Sequence, residues 1–571
     1  MSSASDSAAM PGPSAPWRPG LGRRWFTPSG ALVTELARSI DAADIFVALS
    51  GTPHLLFLDS AARDSGTLDS AARDSGARDS PGEGAAAEPA IRLGRFSYLA
   101  ADPIHSCTVP APTSATASSA AAAVAGALAE VRRLLRDLAC PTIPGLPPFQ
   151  GGVAGLISYE CGLLLQGLSP GNLRSDALAP KTPLLSLHVY DVVFAFDHDL
   201  GQGWIISQGQ PAQGPLARRT RAEERLHSLL GRLHAPQPQQ VHPAAGAHPA
   251  AGSKSAAAAA PLPQAPAAAA ATGHPLPGHP LPGHPGIFST HSPQSYQKMV
   301  QAGIELVRAG DIFQVNLAQC LWLEAALDPL ALYVRARALN PAPFAGYFHA
   351  GDVQIASMSP ERFLSVSQGS VRMHPIKGTR RVLSLPEADL YAGDDLEESA
   401  KDRAENVMIV DLVRNDLSRT CTPQSVRVES LCRLERYRYV QHLVSIVSGR
   451  LEPGRQALDA VEAAFPGGSV TGAPKFRACE IIRDLEGVGR GAYCGSLGFL
   501  GFDGNADFNL LIRTFIVTST EVRFSAGGGI TAASDPVAEY AESLHKAEGM
   551  LRVLGSFGFG NSGSGARGPA S

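Results

Sequence analysis

No run of apolar residues in this chain is long enough to cross a bilayer, which excludes a transmembrane helix from the sequence reading. Cysteine is scarce. There are eight in 571 residues, with no C-x-x-C pair and no Cys/His group at zinc spacing. That excludes a disulfide scaffold or a zinc finger and leaves reduced, structural thiols of the kind found in the cytosol. Charge excess is also small. A formal net charge of −4 gives no electrostatic reason to expect nucleic acid or an anionic membrane as partner. The opening MSSASDSAAMPGPSAPWRPG lacks a basic start followed by an apolar core, so it reads as part of a disordered leader over residues 1–23. Neither the Walker nor the dinucleotide glycine spacing occurs, and no cysteine sits in a G-x-C-x-G nucleophile elbow.

What is present is an ordinary globular balance, 44% hydrophobic and 18% charged, in a chain long enough for two or more folded units. Residues 24–234 alternate strand-like and helix-like stretches, as in HVYDVVFAFDH and AAVAGALAEVRRLL. Near 58–82 the segment LDSAARDSG occurs twice. Two copies cannot stack into a solenoid, so they read as a loop insertion after the strand HLLFLDS. Residues 235–286 become Ala, Pro, Gly and His, ending in GHPLPGHPLPGHP, and predict a flexible linker for want of large apolar side chains. A compact composition resumes over 287–555, and 556–571 read as a disordered tail.

Two carboxylate pairs carry the first chemistry. Asp402 and Glu405 lie in SAKDRAENVMIVDLVRNDL, where apolar positions 407, 410, 413 and 417 predict a helix. Glu539 and Glu542 lie in PVAEYAESLHKAEGMLRVL, a second amphipathic helix opened near Pro536. An i,i+3 spacing puts both acids of a pair on one face. Alone, either pair is an ordinary solvated face, with Lys401–Glu405 and Glu542–Lys546 as i,i+4 contacts. If the two faces meet, the clustered charge requires a hard cation such as Mg²⁺. FPGGSVTGAPK (465–475) precedes a helix starting near Lys475, and SAGGGI (525–530) follows the strand TEVRF. Both are candidates to present backbone N–H groups to an anion, against the plain alternative of tight turns. Lys377, in HPIKGTRR, is a turn residue unless a closed pocket lowers its pKa and makes it a nucleophile.

In order, RAGDIFQVNLAQ, SMSPERFL, HPIKGTRR, AKDRAENVMIVDLVRNDLSR, FPGGSVTGAPK, YCGSLGFLGFDG, LLIRTF, SAGGGI and EYAES resemble the chorismate-utilising enzymes. The resemblance covers nearly all of 287–555 and is closest to the aminodeoxychorismate synthase component I branch. FLDSA, FSYLAADP and GGVAGLISYE match that family's N-terminal domain more loosely, a domain that holds tryptophan in several members. The resemblance implies Mg²⁺ held directly by Glu405 and Glu542 and supported by Asp402 and Glu539. It implies chorismate contacts from His442, Ser469, Thr471, Tyr493, Arg513, Gly527, Gly528, Gly529 and Lys546. Lys377 stands where C2-aminating anthranilate synthases have alanine, and it implies covalent attack at C2 with loss of the C4 hydroxyl. Glu361 implies the acid that protonates that hydroxyl. Gln314 replaces the water-activating lysine of isochorismate and salicylate synthases.

The resemblance further implies a cytosolic enzyme that makes 4-amino-4-deoxychorismate for 4-aminobenzoate and folate. Its ammonia would come from a separate glutaminase subunit, a type-1 glutamine amidotransferase. Arg380 and Arg381 are adjacent where the family often has an intervening proline. The alternatives are anthranilate synthase component I, or a non-catalytic regulatory or chorismate-binding protein. Retention of both acid pairs with Glu361 and Lys377 argues against the latter. The expected fold is α+β: antiparallel sheets packed as a sandwich with outer helices, as in anthranilate synthase component I.

Overall fold

Strands Gly152–Ile157, Leu185–Tyr190 and Val192–Asp197 are buried at every residue, a pattern that demands cover on both faces of their sheets. The computed structural model describes residues 20–60, 94–112, 119–169, 182–234, 278–381, 399–436 and 440–560. The repeated LDSAARDSG stretch beyond Ser60 lies outside them, as does most of the Ala/Pro/Gly/His segment. Two antiparallel sheets, of 14 and 10 strands, supply the frame. Tyr98 of the larger sheet meets Phe499 of the smaller at 5.6 Å between ring centroids, and Phe149 stacks on Phe499 at 4.4 Å. This aromatic layer is the sandwich interior, and helices cover the outer faces, as the resemblance implied.

The two halves of the sequence share both sheets. Leu56–Asp59 pairs with Phe344–His349, and Gly152–Ile157 pairs with Ser496–Gly501. Three boundaries move. Strand Leu21–Phe26 begins inside the stretch expected as leader, paired with Leu32–Leu36. His279–Pro280, expected as linker, forms an edge strand against Phe288–Ser289, with Leu281 buried behind it. His284 Nδ1 lies 3.2 Å from the Gly560 carbonyl, so residues 556–560 also pack on the body rather than beginning a free tail.

The acid-bearing helix Ala400–Ser418 buries the expected Val410, Val413 and Leu417, but Val407 is 48% exposed. Asn406, Ile409 and Asp416 are buried on the same face. The two polar residues are tolerated there because they are paired. Asn406 Nδ2 donates to the Leu443 carbonyl at 3.1 Å and its Oδ1 accepts from the Ser445 hydroxyl. Asp416 takes the Lys475 ammonium at 2.7 Å.

Candidate active site

The sheet parts where the candidate residues gather. Strand Glu521–Ile530 pairs with Gln314–Glu324 over ten positions, yet meets Thr514–Val517 at only Arg523 and Val522. From Phe524 onward its second edge carries no partner strand among the described residues. SAGGGI is therefore a continuation of the strand rather than a separate turn. Its glycines answer to crowding. A Cβ on Gly527 would lie 2.0 Å from the Leu317 carbonyl oxygen, and one on Gly529 would strike Gln314 Nε2.

Gly528 faces the other way, toward helix Pro536–Gly555. A Cβ there would lie 3.0 Å from Glu539 Oε2, 3.6 Å from Glu542 Oε1 and 3.5 Å from Lys546 Nζ. Glu539 is buried and held by the Ser534 hydroxyl at 2.7 Å. Lys546 donates to Glu542 Oε1 at 2.7 Å and to the Gly527 carbonyl at 3.0 Å. The simple i,i+4 contact is thus real, and it sits inside the cleft. The bare glycine face leaves room in front of two carboxylates, donors that suit a hard cation such as Mg²⁺, with the Lys546 ammonium beside them.

Lys377 approaches from strand Ile376–Arg381, which pairs with Val440–Arg450. The register slips between Lys377 and Thr379, where Gly378 takes φ 77°. That bulge re-aims the lysine. Its Nζ donates to the Ser469 carbonyl at 3.3 Å. Burial lowers the Lys377 pKa, opposed by the charges of Glu405, Glu361 and Glu542 and assisted by that of Lys546. The charges of Glu405 and Glu542, one from each acid-bearing helix, both act on this amine. The Asp402 side chain lies outside the described part of its helix.

Glu361, just past strand Gln354–Ser359, is 6% exposed, and burial pushes its pKa up to about 7. The Ser469 hydroxyl donates to its Oε1 at 2.6 Å and works against that rise. Ser469 thus touches both Lys377, through its carbonyl, and Glu361, through its side chain. Asn316 Nδ2 adds a third contact at 3.1 Å, to the same carbonyl.

Arg513 takes a left-handed φ of 51° immediately before Thr514–Val517. Burial lowers its pKa. Burial and the neighbouring Arg513 push His442 down to about 3, so the imidazole is neutral. A desolvated guanidinium of this kind suits a bidentate substrate carboxylate. Gln314, beside Gly529, is fully buried, with neither carboxamide atom hydrogen-bonded among the described residues.

Two expected contacts are placed elsewhere. Thr471 is fully buried and donates to the Gly467 carbonyl at 2.9 Å, so its hydroxyl shapes the turn rather than the cleft. The Lys475 helix start, a candidate anion site, is filled by the buried Lys475–Asp416 pair. Tyr493 is buried 5.6 Å from the Arg490 guanidinium, and its neighbour Cys494 feels the charge of Glu361. The supporting residues Asn406 and Asp416 were missed. Their signal was a polar residue recurring on a helix face that otherwise reads apolar.

The model of the chorismate binding enzyme family matches residues 96–552. Anthranilate synthase component 1 of Streptomyces coelicolor is 36% identical over 413 residues, covering 72% of this chain and 74% of that protein. Aminodeoxychorismate synthase component 1 of Salmonella typhimurium is 34% identical over 476 residues, covering 81% and 90%. Among solved structures, anthranilate synthase component I from Streptococcus pneumoniae superposes with a TM-score of 0.59 at 27% identity, covering 84% of this chain and 96% of that one.

Proposed function

The chain belongs to the chorismate-binding enzyme family, and from that premise we propose that it is the aminating subunit of 4-amino-4-deoxychorismate synthase. In this reading it replaces the C4 hydroxyl of chorismate with ammonia drawn from a glutaminase partner. The product feeds 4-aminobenzoate and folate. The partner follows from relatives named as component 1 of their synthases.

The observation that carries the reading is a half-buried lysine with a lowered pKa, linked through Ser469 to a carboxylic acid with a raised one. The neutral Lys377 amine attacks C2, the ring double bond shifts, and the C4 hydroxyl leaves as water with the proton of Glu361. Ammonia then adds at C4, the double bond shifts back, and Lys377 departs as the amine. Arg513 holds a carboxylate, and neutral His442 borders it without adding charge. Glu405 and Glu542, with Glu539 and Asp402 in support, would hold Mg²⁺, which would supply positive charge for the C1 carboxylate.

Anthranilate formation is the competing reading, carried by relatives such as the Streptomyces chain. Lys377 weighs against it. Pure chain with chorismate, Mg²⁺ and an ammonium salt should yield 4-amino-4-deoxychorismate by mass spectrometry. Anthranilate as the main product overturns the assignment.

A further inference from the structure

Far from the cleft, at the edge of the 10-stranded sheet, strand His105–Val109 runs beside Leu185–Tyr190 under helix Ala120–Asp137. His105 and Cys107 are two apart and so share the strand face that meets the helix. Glu130 comes down from that helix, and its Oε1 lies 2.9 Å from His105 Nε2. One ligand atom from each of His105, Cys107 and Glu130 falls within 4.8 Å of the others. It is the sole such group of His, Cys, Asp and Glu among the described residues.

We propose that His105, Cys107 and Glu130 form a binding site for a borderline-soft divalent cation, Zn²⁺ or Co²⁺, with water completing a tetrahedron. One sulfur, one imidazole nitrogen and one carboxylate oxygen are the donors such ions prefer. Tetrahedral bonds of about 2.0–2.3 Å require ligand atoms roughly 3.3–3.8 Å apart. The His105 and Glu130 side chains are 42% and 40% exposed, so they are free to close that gap. Cys107 is 3% exposed and fixed in the core, so it anchors the site while the other two swing. Binding releases the thiol proton to solvent. The thiolate and carboxylate then carry two negative charges, which the ion neutralises. Burial and Glu130 push the thiol up to about 12 in the absence of metal, so the metal competes with a tightly held proton. The sequence hides this site, because an H-x-C pair gains its third ligand from a helix 23 residues on.

The ion would clip an otherwise open edge strand to its covering helix. Cobalt titration of the full chain tests it. A sulfur-to-cobalt band in the near ultraviolet with tetrahedral bands in the visible is expected at one equivalent. Both should be lost in Cys107→Ser, and the visible bands weakened or shifted in the surface variant His105→Ala. Cobalt held by the cleft carboxylates alone gives no sulfur band. Zinc should raise the Tm of the wild type, raise that of His105→Ala less, and leave that of Cys107→Ser unchanged. No sulfur band in the wild type, or one that survives Cys107→Ser, overturns the proposal.

Discussion

Ser469 donates its hydroxyl to Glu361 Oε1 at 2.6 Å. That bond opposes the effect of burial, which carries the Glu361 pKa up to about 7. A general acid must be protonated, so kcat should fall as pH rises through about 7. Removing the bond in Ser469→Ala takes away a contact that favours the charged form, so the Glu361 pKa rises further and the alkaline limb moves to higher pH. Glu361→Gln should abolish that limb along with most activity. An alkaline limb unchanged by both substitutions removes Glu361 from the acid role.

Lys377→Ala should lower formation of 4-amino-4-deoxychorismate by about 10²-fold or more, the scale of removing a group engaged directly in bond making. Thermal stability should change little, since the amine is held by one carbonyl at 3.3 Å. In the wild type without ammonia, peptide mass spectrometry should find a substrate adduct on Lys377. Wild-type turnover by the alanine variant returns the lysine to a turn residue.

Glu405→Gln and Glu542→Gln should each abolish Mg²⁺-dependent activity without lowering Tm. Glu405 is only part-buried and the Glu542–Lys546 pair is about half exposed, so losing either charge costs little stability. Mg²⁺ titration by calorimetry should show the affinity lost in both. Unaltered Mg²⁺ binding in either variant refutes its place as a ligand.

Gly527→Ala and Gly528→Ala separate fold from site. The first drives a Cβ to 2.0 Å from a backbone oxygen, and the second to 3.0 Å from the end of the Glu539 side chain. The first should fall in Tm and yield little folded protein. The second should fold and lose Mg²⁺ or chorismate affinity. Equal melting losses in the two would contradict this placement of the acids.

Asp416→Asn should cost about 3–5 kcal/mol in denaturant unfolding, because it leaves the buried Lys475 ammonium without its counter-charge. Asp416→Leu combined with Lys475→Met should restore much of that loss.

The periodicity of the two acid helices, the start of the helix at Lys475 and the presence of a sandwich were legible because hydrophobic spacing and short motifs are local properties. The motif series also named Lys377 and Glu361 from their neighbours in the chain. Which atoms meet is not a local property. Ser469 links these two residues only because the fold brings the turn Gly468–Val470 back against segments about a hundred residues earlier in sequence. The glycines of SAGGGI look like a turn until the strand beside them shows that a Cβ has no room. Val407 and Asn406 exchanged their expected places because a buried polar group is tolerated only where partners exist, and the partners lie on another strand. The sequence therefore determined the elements and the reactive groups. The tertiary structure decided the direction of their pKa shifts, since burial, which no local stretch of sequence reveals, is the largest cause of each shift in the cleft.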